Sequence, residues 1–171
     1  MGIVIEELGH ALNRGARIYA EIKGFDTFVT PEGGIRPSVN AEADLMGMLL
    51  ARAGVTPEEV DFVSAHATST PIGDRVEAEA IYKTFGNRIG VTALKGATGH
   101  MLAASGALEV AAAAMALKEG VVPSVVNLVE VDRELPALDY CVMPKKGDFG
   151  YAVVNSFGLG GVFASLLLKS F

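Results

Sequence analysis

Two periodicities of apolar and polar positions run through this chain, and the switches between them outline its elements. Ile3, Val4 and Ile5 form a short apolar run that reads as a strand, and a short helix over about 6–13 follows, closed by Gly15. Over 17–25 the period is two. Ile18, Ala20 and Ile22 share one face while Arg17, Tyr19, Glu21 and Lys23 share the other, the pattern of a half-buried strand. Thr30-Pro31-Glu32-Gly33-Gly34 reads as a loop. Asn40 is placed as the N-cap of a helix reaching about Ala53, with Leu45, Met48 and Leu49 as its apolar stripe and Gly54 as its stop.

A strand over 60–65 runs straight into His66-Ala67-Thr68-Ser69-Thr70-Pro71. Asp74 with Glu77 three residues on has the spacing of a capping box, which opens a helix ending near Gly86. A strand over 89–93 leads into Lys95-Gly96-Ala97-Thr98-Gly99-His100, and a long helix over about 103–118 ends at Gly120 and Pro123. Strands are expected at about 138–143, 151–155 and 162–169, the last two joined by Ser156-Phe157-Gly158-Leu159-Gly160-Gly161. Strands alternating with helices and then a run of strands predict an α/β fold, a mainly parallel sheet with an antiparallel finish. The 103–118 helix is apolar nearly all round and built mostly of Ala and Gly, so it is expected to be covered on every side. One sheet and its helices do not supply that many neighbours, which predicts a further layer from outside these residues.

Composition narrows the function classes. The 171 residues carry 14 Lys+Arg against 20 Asp+Glu, a net charge of −6, with 50% hydrophobic residues and a mean hydropathy of +0.37. So apolar a chain buries a core and is not disordered, and 171 residues suit a single domain over 1–171. The acidic balance without a basic block argues against nucleic acid or an anionic membrane as the main partner. The weakly charged stretch 96–117 is interrupted by His100 and Glu109, and the first residues lack a basic signal-peptide region, so the expectation is a soluble, cytoplasmic protein. A single cysteine, Cys141, excludes an intrachain disulfide or a multi-cysteine zinc site.

Three polar clusters follow strands, where α/β folds place their sites: His66, then Lys95 with His100, then the glycine loop after Asn155. Taken locally, His66 is either a structural histidine closing a strand or a ring turned into a cleft. His100 is open between a capping role and a ligand-facing one, and Lys95 alone reads as a solvated loop lysine. Thr68, Ser69 and Thr70 include a natural cap for the helix after Pro71. Gly158-Leu159-Gly160-Gly161 has no βαβ unit after it, so it is not a dinucleotide loop, and a His66/His100 metal site lacks a third ligand.

Taken together, the segments 66–71, 95–100 and 155–161 closely resemble, in this order and at fitting separations, the C-terminal half of elongating β-ketoacyl-acyl carrier protein synthases. The resemblance spans 3–171. It implies a thiolase-like fold whose two similar halves layer as αβαβα, which would supply the missing cover for the 103–118 helix. It implies a decarboxylative condensation: a Cys in the other half holds an acyl thioester, and a malonyl group on acyl carrier protein loses CO₂ and attacks it. By the match, His66 and His100 donate hydrogen bonds to the malonyl thioester carbonyl, Lys95 stands near the second histidine, and Glu109 is the acid it contacts. Thr68 and Thr70 match positions that bind the phosphopantetheine arm, and Phe157, Gly158 and Leu159 belong to the mobile segment at the acyl pocket. No covalent cofactor is implied. The implied partners are a Cys-bearing N-terminal half and acyl carrier protein, in a homo- or hetero-oligomer.

The sequence departs from the family at several points. Ala67 stands for the usual Gly, Leu159 for a gating Phe, and Val162-Phe163 for Thr-Asn, and the loop between Phe25 and Asn40 is shorter than usual. Cys141 is far from any family nucleophile position and reads as a small buried hydrophobe. Three functions are expected to compete: half of a working condensing enzyme, a non-catalytic subunit like a chain-length factor, or a fragment without function alone. The strand-like opening with no turn before it suits the last.

Overall fold

Backbone groups left over at chain reversals decide where the elements begin. In the computed structural model, which describes residues 2–29, 37–158 and 160–171, helix α1 (Leu8–Asn13) is opened by Glu7, whose carboxylate accepts the N–H groups of Gly9 and His10 at 2.9 and 2.8 Å. The expected loop at 30–34 and Leu159 lie outside the described residues. Helix α2 (Val39–Ala53) is capped by the Ser38 hydroxyl, which accepts from Ala41 N, rather than by Asn40, and Gly54 ends it at φ +67°. Helix α3 (Pro71–Phe85) starts three residues before Asp74, with Thr70 at the N-cap position and Pro71 in the first turn. The capping-box reading of Asp74 and Glu77 is thereby overturned, because Glu77 has other donors to satisfy.

The strands are β1 (Ala20–Val29), β2 (Phe62–Ser64), β3 (Gly90–Thr92), β4 (Val121–Val122), β5 (Asp139–Tyr140), β6 (Lys145–Lys146), β7 (Tyr151–Gly158) and β8 (Val162–Ser170). Six form one sheet in the order β1-β8-β7-β2-β3-β5, and β4 pairs with β6 apart from it. β7, β2, β3 and β5 run parallel to one another, and β7, β8 and β1 are antiparallel neighbours. The mixed, mainly parallel sheet with an antiparallel finish is therefore as expected. The finish is longer than expected, since β7 continues through Phe157 and Gly158, which pair with Phe163 and Val162.

Two expected strands differ. Ile3, Val4 and Ile5 form none: they pair with neither edge strand of the sheet, β1 or β5, and stay exposed. The strand expected at 138–143 shrinks to β5, because Val142 N–H turns back to Tyr140 O at 2.8 Å and leaves Val142 and Met143 exposed.

The sheet separates two cores. On one face α2 and α3 bury Met46, Leu49, Leu50, Ala80 and Ile81 against Val63, Val153 and Leu167. On the other, α5 (Ser105–Glu119) lays Ala113, Ala116 and Leu117 over Phe62, Val154 and Leu168, with Cys141 fully buried among them. Away from the sheet, α5 keeps Ala107 and Ala111 half-buried and Met115 exposed. That small-residue face is the one expected to receive another layer. Among the described residues no helix is long and apolar enough to cross a membrane.

Candidate active site

Adjacent parallel strands end side by side, so the residues that follow them converge. The segment after β2 carries His66, and the one after β3 becomes a single helical turn, α4 (Lys95–Thr98), that starts on Lys95. Helix α5 meets the second of these segments, through Ser105 at His100 and Glu109 at Lys95. Lys95 is not the solvated lysine its local sequence suggests. It is 8% exposed, ion-paired with the buried Glu109, and its Nζ lies 3.3 Å from His66 Nδ1. An ammonium can only donate, so His66 Nδ1 accepts and the ring proton sits on Nε2. Burial first, then the Lys95 charge and His100, push the His66 pKa down to about 4. Burial pushes the Glu109 carboxyl up, against the opposing pull of Lys95.

His100 reaches the same tautomer by a different route. Leu102 N–H donates to its Nδ1 at 3.2 Å, with Leu102 held at φ +52° to do so. Ser105 Oγ accepts from Met101 N at 2.9 Å and stands 3.2 Å from the same His100 nitrogen, so its hydroxyl proton points there. Both Nδ1 atoms are thus occupied as acceptors, leaving an Nε2–H donor on each ring. The rings stand edge to face, centroids 5.6 Å apart. Phe157, on β7, lies 5.9 Å from the His66 ring.

The turn at 66–70 is strained, with Ala67 at φ +33° and Ser69 at φ +62°. The structure thus places Ala67 where a glycine would sit with less cost. A buried carboxylate holds the turn: Glu77 accepts from His66 N and Ala67 N, each at 2.8 Å. Asn155 Nδ2 donates to the same carboxylate at 3.1 Å, and Ser165 Oγ donates to Asn155 Oδ1 at 2.7 Å. Burial raises the Glu77 pKa against these donors. Asp74 is also raised by burial, opposed by the backbone N–H groups of Ser69 and Thr70. Glu42, 1% exposed on the first turn of α2, is pushed up to about 8 by burial and by the Glu77 charge. Thr68 and Thr70 occupy the rim, their hydroxyls 3.2 Å apart, and Thr70 makes no side-chain cap bond.

Of the residues singled out by sequence, His66, Lys95, His100, Glu109 and Phe157 come together, with Thr68, Thr70 and Gly158 at their margin. Glu77, Asn155 and Ser105 were missed as supports. Glu77 had a signal, since it stands four residues before Ile81 on the apolar face of α3, where a carboxylate needs a buried partner. Among the described residues, no three His, Cys, Asp or Glu side chains converge as metal ligands. Cys141 is remote from the histidines, buried in the core beneath α5, and burial pushes its thiol up, which disfavours the thiolate.

Comparison with known proteins gives the arrangement a context. Residues 19–129 match the family model for the β-ketoacyl synthase C-terminal domain. A mitochondrial 3-oxoacyl-[acyl-carrier-protein] synthase of Arabidopsis thaliana is 40% identical over 98% of the chain, which covers 38% of that protein. A crystal structure of a β-ketoacyl synthase from Burkholderia phymatum is 35% identical, with a TM-score of 0.93 over 97% of this chain and 41% of that one. The ishigamide ketosynthase/chain length factor is 33% identical, with a TM-score of 0.92 over the same shares. The chain spans about two-fifths of the length of these relatives.

Three outcomes follow. Glu77→Ala strands two backbone N–H groups and the Asn155 amide, which lowers stability by about 3 kcal/mol, read as a lowered thermal midpoint; an unchanged midpoint contradicts the clasp. Because the folded His66 pKa is depressed, its neutral ring adds stability above the ordinary 6.5 that is lost as pH falls toward about 4. Lys95→Met removes one of the two depressing charges, so the His66 ring titration followed by NMR moves upward, while an unmoved midpoint contradicts the contact.

Proposed function

The chain belongs to the β-ketoacyl synthase family, as its C-terminal domain, and on that premise we propose that it is the malonyl-handling half of a decarboxylating condensing enzyme. The observation that carries the reading is the pair of Nε2–H donors on His66 and His100, fixed by acceptor contacts at both Nδ1 atoms. Malonyl thioester bound between them would lose CO₂ by cleavage of its carboxylate C–C bond. The electron pair would pass into an enolate whose oxygen accepts both hydrogen bonds. Donors fixed in advance stabilise that developing charge more than the neutral carbonyl before it. The carbanion carbon would then attack an acyl thioester and expel a cysteine thiolate.

That cysteine is taken to belong to an N-terminal half, on the same polypeptide or another, because Cys141 is buried away from the histidines. Lys95 would act through His66, holding its tautomer, and Glu109 would neutralise the ammonium this requires. The malonyl and acyl groups would arrive on the phosphopantetheine arm of an acyl carrier protein, a reading supported by the name of the Arabidopsis relative. Thr68 and Thr70 expose hydroxyls on the histidine turn where such an arm could be bound. The same reading takes the assembled synthase to be cytoplasmic and a homo- or hetero-oligomer.

A second reading, a subunit that shapes the pocket as a chain-length factor does, is favoured by Phe163 in the loop's second leg and by the likeness to the ishigamide ketosynthase/chain length factor. Substitution separates the two. In the synthase assembled with its Cys-bearing half, His66→Ala or His100→Ala lowers condensation by about 10²–10³-fold if these donors serve the enolate. Full activity in both variants, with assembly intact, supports the pocket-shaping subunit instead.

A further inference from the structure

A polar row crosses the antiparallel end of the sheet beneath α2 and α3. Asp26 on β1 opposes Ser165 on β8, which opposes Asn155 on β7. The Asn155 amide touches both helices: its Nδ2 lies 3.1 Å from Glu77 Oε1 on α3 and 3.5 Å from Met46 Sδ on α2. Glu42 stands one helical turn before Met46 on the same face of α2 and is 1% exposed. Two carboxyls, Glu42 and Glu77, therefore enter one buried polar layer from adjacent helices.

Their surroundings divide a proton unequally. Glu77 receives N–H groups from His66, Ala67 and Asn155, all of which favour its anion. Glu42 is not so supplied, since its Oε2 is buried without a hydrogen-bond partner among the described residues. An ionised carboxylate in that state carries a desolvation cost that a neutral acid avoids. The raised Glu42 pKa, about 8, reflects burial and then the Glu77 charge, opposed by the Ser38 backbone N–H. The other groups around α2 are already committed. From β1, Asp26 is paired with Arg52, while β7 and β8 present the uncharged Asn155 and Ser165. From α3, Asp74 is turned to the N–H groups of Ser69 and Thr70, and the exposed Lys83 is bonded to Asn40. The Lys95 charge acts on Glu77.

Resting on the condensing-enzyme reading, we propose that Glu42 is a positioning residue acting through Glu77: while it is neutral, the clasp holds the His66 turn in place, and its ionisation loosens that turn. With both carboxyls charged, Glu77 relieves the repulsion by drawing back or by taking up a proton. Either weakens its grip on the His66 and Ala67 N–H groups, and the strained turn relaxes. The His66 ring then leaves its place beside Lys95. Condensation is thus tied to a proton that never meets the substrate.

The test compares the complete synthase, with its Cys-bearing half, unmutated and as Glu42→Gln, which keeps the shape of the neutral acid and cannot ionise. In the unmutated synthase kcat/KM is expected to fall about tenfold from about pH 7 to about pH 9, the loss due to one group titrating near 8 whose anion is inactive. In Glu42→Gln the fall over that range is expected to stay within about twofold. An equal fall in both proteins, or none in the unmutated one, overturns the proposal. Thermal midpoints give a readout that needs no turnover. A carboxyl whose pKa is higher folded than unfolded costs stability as pH rises toward its folded value, so the gain of Glu42→Gln over the unmutated protein grows from about pH 5 to about pH 8. A gain that does not grow, or a Glu42→Gln protein that fails to fold, overturns the neutral Glu42 whatever the activity. An unmutated synthase that condenses at no pH contradicts the condensing reading, while the thermal comparison still decides where the proton rests.

Discussion

The buried carboxylate of Glu77 is the constraint on which the rest of the site depends. It joins four elements: it rises from α3, takes the backbone N–H groups of His66 and Ala67 after β2, and receives Asn155 from β7, which is in turn held by Ser165 of β8. A turn with two non-glycine residues at positive φ does not hold its shape unaided. With its N–H groups fixed, the His66 ring has a defined origin, and Phe157 has a defined distance to it. The clasp is costly to break because it would release the buried Asn155 amide and two part-buried backbone N–H groups.

A second interaction sets the chemical state of the ring so placed. A histidine near neutrality is free to take either tautomer or a proton. Lys95 removes that freedom for His66 by donating to Nδ1 and by its charge, and the low-dielectric surroundings act in the same direction. Glu109 is what allows an ammonium to stay buried there at all. His100 is fixed without a charge, by a backbone N–H and the Ser105 hydroxyl. One ring is controlled electrostatically and the other by backbone geometry, and both present the same donor.

Much of this was legible in the sequence, for physical reasons that differ by element. The mixed sheet follows from the order of periodicities, and the need for another layer over α5 follows from its Ala-rich circumference. The three clusters were legible because parallel strands end together. What was not legible depended on partners distant in sequence. Ile3–Ile5 has strand composition but pairs with no strand, and Glu77 has capping-box spacing but serves donors ten and eleven residues earlier. Lys95 looked solvated until Glu109, fourteen residues on, was brought against it. Leu159 lies outside the described residues, so the expectation for it rests on resemblance alone.

The account turns on which ring nitrogen of each histidine carries the proton. Nitrogen-15 NMR of the imidazoles in the assembled synthase at neutral pH reads this directly. Nδ1 of both His66 and His100 should have the shift of an unprotonated acceptor, and Nε2 of both the shift of an N–H. A protonated Nδ1 on either ring would contradict the two-donor cradle.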